Sequence, residues 1–164
     1  MKMIRKGLAV VAALAMTLTL AAPAQAAVAD DTLRYEMVNA LNDARNCSNT
    51  PLSLHTQAKY GAQAHANDMS SRDYFSHSTM SPYPYPYGGS DWWRRPAYWG
   101  VTSGYLGEII AWGYSTVNGA VNAWLNSSDH RATLMDCSYR YVGVGWNSGD
   151  GNKWVVDFTG HQAL

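Results

Sequence analysis

Two runs near the C-terminal end, "YVGVGW" at 141–146 and "KWVVDFT" at 153–159, constrain this chain more than any other feature. Both are rich in β-branched and aromatic residues, and the segment between them, "NSGDGN", is a Gly-rich turn. Apolar β-formers on either side of such a turn read as a β-hairpin.

Most of the chain before the hairpin has helical spacing instead. Asp30 and Asp31 precede Leu33, Met37, Val38 and Leu41, which predicts a first helix running to about Arg45 with acidic residues near its positive end. Asn46 and Pro51 bracket the break. From Ser53 to Ser71, Leu54, Ala58, Ala62, His65, Ala66 and Met69 recur every three or four residues and predict a second helix, small enough on one face to pack closely against a neighbour. "SPYPYPYGGSDWWRRP", residues 81–96, is too rich in Pro and Gly for a regular helix or central strand and reads as a long loop. "GEIIAWG" at 107–113 suits a short strand. Val117, Val121, Trp124 and Leu125 mark a third helix, and Ala132, Leu134 and Met135 a short fourth. There are no internal repeats.

The N-terminal residues have a different purpose. Lys2, Arg5 and Lys6 precede an apolar run from Gly7 to Leu20 and then "AAPAQA", the layout of a secretory signal peptide over residues 1–26. The expected mature chain, 27–164, is the size of one domain and is secreted to the extracellular space. No later stretch is long and apolar enough to span a bilayer. Removing the three N-terminal cations leaves nine Lys and Arg against twelve Asp and Glu, and no basic cluster resembles a nucleic-acid footprint. Cys47 and Cys137 both lie in the exported part, where oxidising conditions favour a bridge over a free thiol nucleophile.

"LNSSDHRATLMDC", 125–137, sets Ser128, Asp129 and His130 side by side. Neighbouring side chains on a helix point about 100° apart, so they cannot line up as nucleophile, orienter and base. Ser128 and Asp129 read better as helix-capping residues. The chain has neither a G-x-S-x-G elbow nor an H-E-x-x-H motif.

Taken in order, "YFSH", "GEIIAWG", "AWLNSSDHRATLMDC", "VGVGW" and "WVVDF" resemble the CAP superfamily of cysteine-rich secretory, antigen 5 and pathogenesis-related proteins, in its compact bacterial form. The resemblance spans roughly Leu33 to Gly160. It implies an α+β fold, a three-layer α-β-α sandwich with a small antiparallel sheet between helices. It also implies a cleft lined by His77, Glu108 and His130, which in the family can hold a divalent cation, often zinc. Two imidazoles and a carboxylate are suitable zinc donors. Three positions depart from the family pattern. Asn126–Ser127 stand where larger members carry a second glutamate, Ile109 replaces the usual Asn, and Ser128–Asp129 replace Pro-Gly. The first departure removes one acidic ligand. The resemblance further pairs Cys47 with Cys137, tying the first loop to the segment bearing His130. Arg131 can bond a nearby carboxylate or carbonyl but reads more readily as a solvated helix residue, and His55, His65 and His161 as structural or surface residues.

Two functions follow from this reading. In the first, a secreted binding module holds a lipid, a glycan or another cell-envelope ligand in the cleft, with or without a cation, under a rim drawn from Tyr83, Tyr85, Tyr87, Trp92 and Trp93. In the second, His77 and His130 position zinc in a metal-assisted hydrolase and Glu108 serves as ligand or general base. The missing nucleophile motif and the missing second acid favour the binding module. A vestigial cleft in a structural or signalling domain is a third, weaker reading, since fold alone does not decide function.

Overall fold

The fold is taken from a computed structural model, which describes residues 22–82, 91–101 and 106–160, with side chains from residue 31 onward except at Pro96. Helix α1 (Ala22–Ala44) leads to a two-residue strand β1 (Ser53–Leu54) and helix α2 (Thr56–Ser71). A five-residue helix α3 (Arg94–Tyr98) precedes strand β2 (Leu106–Trp112). Helices α4 (Val117–Leu125) and α5 (Ser128–Met135) follow, and strands β3 (Tyr141–Asn147) and β4 (Lys153–Thr159) form the expected hairpin. Its turn places Asp150, Gly151 and Asn152 at positive φ, the conformation that Gly and Asn tolerate best.

The four strands form one sheet in the order β1-β3-β4-β2, and helices cover both faces. β4 is central, paired antiparallel to β2 and to β3, which is why "KWVVDFT" is buried at every position instead of alternating. One sheet face, with Ile109, Val144, Val156 and Phe158, packs against Met37 and Leu41 of α1, Val121 and Trp124 of α4, and Leu134 of α5. The opposite face, with Ile110 and Val155, packs against Ala62, Ala66 and Met69 of α2. Here α2 nearly touches the sheet. A Cβ on Gly143 would come within 2.0 Å of the Ala58 carbonyl carbon, so only glycine permits this approach. The small-residue face of α2 therefore packs as its sequence predicts.

Four local expectations need correction. The Ala-rich segment before Asp30 is itself helical, so α1 begins at Ala22 and the acidic pair does not sit in its first turn; Asp31 instead pairs with Arg34 at 3.1 Å. Ser53 and Leu54 are strand, not helix, because they pair parallel to Tyr141 and Val142, which makes the sheet mixed. His55 then caps α2, its Nδ1 accepting from the Ala58 N–H at 3.2 Å. Residues 94–96 of the expected long loop belong to α3. Finally, α5 starts at Ser128, so Ser127 is the cap residue and Ser128 and Asp129 lie in the first turn. Asp129 there faces the positive end of the helix dipole.

Cys47 and Cys137 form a disulfide, with Cα atoms 5.6 Å apart, between the loop after α1 and the end of α5. Beside it, the buried Arg45 donates to the Asp136 and Tyr139 carbonyls at 3.0 and 3.3 Å. Residues 1–21, most of the expected leader, lie outside the described residues, as does His161. Among the described residues, no helix is long and apolar enough to cross a membrane.

Candidate functional site

The site lies where the segment after α2 folds back over the edge strand β2. His65 and Asp68 of α2 and its C-cap residue Arg72 hold that segment. His65 Nε2 lies 2.9 Å from the Ser76 carbonyl, Arg72 donates to the Met80, Ser81 and Pro82 carbonyls, and the Tyr74 hydroxyl bonds Asp68. Burial, with Arg95 adding to it, lowers the His65 pKa to about 4, so its ring is neutral near pH 7 and has one N–H, which the Ser76 carbonyl accepts. His65 is thus structural, as expected, and it sets the position of the residue beside His77.

Glu108 projects from β2 toward this segment. One carboxylate oxygen meets His77 Nδ1 at 2.8 Å and the other pairs with Arg95 of α3. Arg95 also donates to the His77 carbonyl at 2.7 Å and to Thr79 Oγ1 at 3.2 Å. A buried carboxyl is ordinarily pushed up in pKa, but here the His77 bond and the Arg95 charge outweigh burial and hold Glu108 down to about 2. Directly across the ladder from Glu108 stands Asp157 of β4. Burial, then the Glu108 charge, raises the Asp157 carboxyl well above its ordinary value, opposite in direction to the shift at Glu108.

His130 enters from the first turn of α5, with its ring centroid 6.4 Å from that of His77. Burial and the neighbouring His77 lower its pKa, with Asp129 opposing. The fold therefore brings His77, Glu108 and His130 together, although they are far apart in the chain. It does not assemble a three-ligand metal set from them. Both Glu108 oxygens are already engaged, one by a guanidinium, and among the described residues no group of three or more His, Cys, Asp or Glu side chains is arranged to hold a metal ion. Glu108 stands here as the carboxylate that holds the His77 ring through its Nδ1.

Tyr83, Tyr85 and Tyr87 lie outside the described residues, while Trp92 and Trp93 stack edge-on against each other at 5.8 Å. Beside His130 the aromatic residues are Phe75, Trp112 and Tyr114, which line a cleft of about 350 Å³. Arg131 is exposed and donates to the Leu125 carbonyl at 3.2 Å. Sequence reasoning missed Arg95, Thr79, Asp157 and these three rings. The available signal for Asp157 was a carboxylate inside an otherwise apolar strand. Arg95, in an aromatic loop, gave none.

With this geometry in view, a profile of the cysteine-rich secretory protein (CAP) family matches residues 36–158. The chain belongs to the CAP family. This CAP chain is 30% identical over 110 residues to the Bacillus subtilis protein YkwD, a match covering 67% of the chain and 40% of that relative. Among solved structures, it is similar to an extracellular protein containing an SCP domain from Bacillus anthracis, with a TM-score of 0.69 and 25% identity over 88% of this chain and 45% of that one. An outer surface protein from Borrelia burgdorferi shares the fold with a TM-score of 0.67 and 20% identity, covering 81% of this chain and 94% of that one. The CAP chain spans less than half the length of YkwD and of the Bacillus anthracis protein.

Proposed function

We propose that this CAP domain is a secreted binding module whose His77–Glu108–His130 cleft holds a cell-envelope ligand, a lipid or a glycan. The observation that supports binding over hydrolysis is the double engagement of Glu108. A general base needs a free oxygen and a pKa near the working pH, whereas this carboxylate gives one oxygen to Arg95, the other to His77, and is held at about 2. Its basicity is spent on fixing the His77 ring. The His77 side chain is still 42% exposed, and His130 is partly exposed. A divalent cation entering here would take its donors from these two imidazoles, with Glu108 behind His77 as the supporting carboxylate. The extracellular and outer-surface descriptions of the structural neighbours support export.

Co-sedimentation of the protein with purified cell-wall sacculi and with phospholipid vesicles, compared with His77→Ala and His130→Ala, tests the reading. Sedimentation of wild type that is lost in both variants is the expected result. Equal sedimentation of all three, or of none, sinks it. Turnover in a hydrolase screen that disappears in Glu108→Gln would replace it with the enzymatic reading. Zinc titration calorimetry on the same variants tests the cation: heat that persists unchanged in His77→Ala removes these imidazoles as donors.

A further inference from the structure

The cleft beside His130 has chemistry of its own. Its walls are the rings of Phe75, Trp112 and Tyr114, which are 40%, 51% and 39% exposed, a concentration of open aromatic surface on one edge of the sheet. Exposed aromatic surface around a concave site of this size marks a ligand site. Trp112 is also held in place. Its indole Nε1 donates to the Asp150 carbonyl at 3.0 Å, the Lys153 ammonium lies 5.2 Å from the ring centroid, and the Phe75 ring packs at 6.0 Å. Half of the ring stays open all the same. A rigid, open ring costs little entropy when something stacks on it.

The polar groups at the cleft select among ligands. No Lys, Arg, Asp or Glu lines it, so neither a phosphate nor a carboxylate would find a counter-charge there. Apart from the Tyr114 hydroxyl and the two indoles, which already donate to the Asp150 and Ile110 carbonyls, its polar side chains are Ser127 and His130. Ser127 occupies the cap position of α5, yet its hydroxyl makes no capping bond, so the group is free to serve a ligand. The two ring nitrogens of His130 offer a sugar hydroxyl a donor or an acceptor. Strand addition along β2 is obstructed, since the Trp124 indole already donates to the Ile110 carbonyl at 2.8 Å. An acyl chain would leave Ser127 and His130 facing hydrocarbon without partners. A sugar ring satisfies both kinds of surface, with C–H faces for the aromatic walls and hydroxyls for the serine and imidazole.

We infer that this cleft is a carbohydrate subsite, in which an uncharged sugar ring stacks on Trp112 between Phe75 and Tyr114 and hydrogen-bonds Ser127 and His130. The inference rests on the binding-module reading and names its ligand class. Ile110 and Ala123 add apolar lining of the kind that suits the methyl of an acetamido group, so the probe is the N-acetylglucosamine trimer.

Titration of the trimer, followed by tryptophan fluorescence and calorimetry, should show saturable binding to wild type. Trp112→Ala should weaken it about tenfold or more, and Trp112→Phe, which keeps a ring but loses the bond to Asp150, should fall between. Tyr35→Ala, at an exposed aromatic residue outside this cleft, should bind as wild type does. Thermal melts establish that each variant is folded. Absence of trimer binding to wild type, or equal affinity in Trp112→Ala, overturns the inference, as does Trp112-dependent capture of phosphatidylcholine vesicles without sugar binding. The sacculi experiment separates the two readings. Sedimentation that needs His77 while the trimer fails to bind removes the sugar subsite and leaves the binding module standing; sedimentation indifferent to His77, His130 and Trp112 alike removes both.

Discussion

Replacing Arg95 by methionine asks whether the buried guanidinium is what allows Glu108 to stay charged. Both side chains are almost completely shielded, 1% and 0% exposed, so removing the cation strands a carboxylate in a low-dielectric site. Breaking such a pair costs about 3–5 kcal/mol, a large part of the roughly 5–15 kcal/mol that holds a domain of this kind together. With a urea slope of about 2 kcal/mol per M, the midpoint should drop by about 2 M, measured by tryptophan fluorescence at pH 7. Some of that loss belongs to the bonds from Arg95 to the His77 carbonyl and Thr79, which do not involve Glu108. The double variant Arg95→Met/Glu108→Gln separates the parts. Having no unpaired buried charge, it should be more stable than either single variant. The pH dependence supplies an independent check. Without the guanidinium, burial drives the folded pKa of Glu108 upward, so the stability of the variant is greatest at low pH and is lost as pH rises; its deficit against wild type should therefore shrink between pH 7 and pH 4. A deficit below about 1 kcal/mol, or strict additivity in the double variant, would refute the account of the site.

The other predictions address the frame around that pair. Reducing the Cys47–Cys137 bridge, or replacing both cysteines by serine, should cost about 4–5 kcal/mol in the chain-entropy model for a separation of 90 residues; an unfolding midpoint indifferent to reductant would show that the bridge contributes nothing. Asp157→Asn should stabilise the protein at pH 7 and above. The wild-type carboxyl is raised on folding, so its folded form is favoured below its unfolded pKa of about 4 and loses roughly 1.4 kcal/mol per pH unit until the folded value is reached, a loss that the amide avoids. Equal pH–stability curves for the two proteins would contradict this. Gly143→Ala should lower stability by about 3 kcal/mol or more, because the added carbon meets the Ala58 backbone at 2.0 Å; a melting temperature within a degree or two of wild type would mean that α2 shifts freely.

Much of the frame was legible before any coordinates. The hairpin, the strand at "GEIIAWG" and the helix from Val117 to Leu125 follow from period, β-propensity and turn residues, which act within a few positions of one another. Ser53 and Leu54 were misread because their strand character comes from Tyr141 and Val142, almost 90 positions away. The start of α5 was misplaced for a related reason: Ser127 has the position of a cap without its hydrogen bond, so the local signal pointed one residue too late. His77, Glu108 and His130 were found by family resemblance. Their spacing alone could not have joined them, since each histidine taken singly reads as structural.

Local covalent and periodic information therefore decided the type of most elements, the small-residue packing face of α2 and the two cysteines available for bridging. The chemistry of the site was settled only in three dimensions. Whether Glu108 is a base, a metal ligand or a support for His77 depends on Arg95 and Asp157, which reach it from a different helix and a different strand. Which aromatic residues meet His130 depends on how β2, α4 and the segment after α2 converge. A charge or a ring acts through space over a few ångströms, and sequence distance carries no record of those ångströms until the sheet and its helices have closed around them.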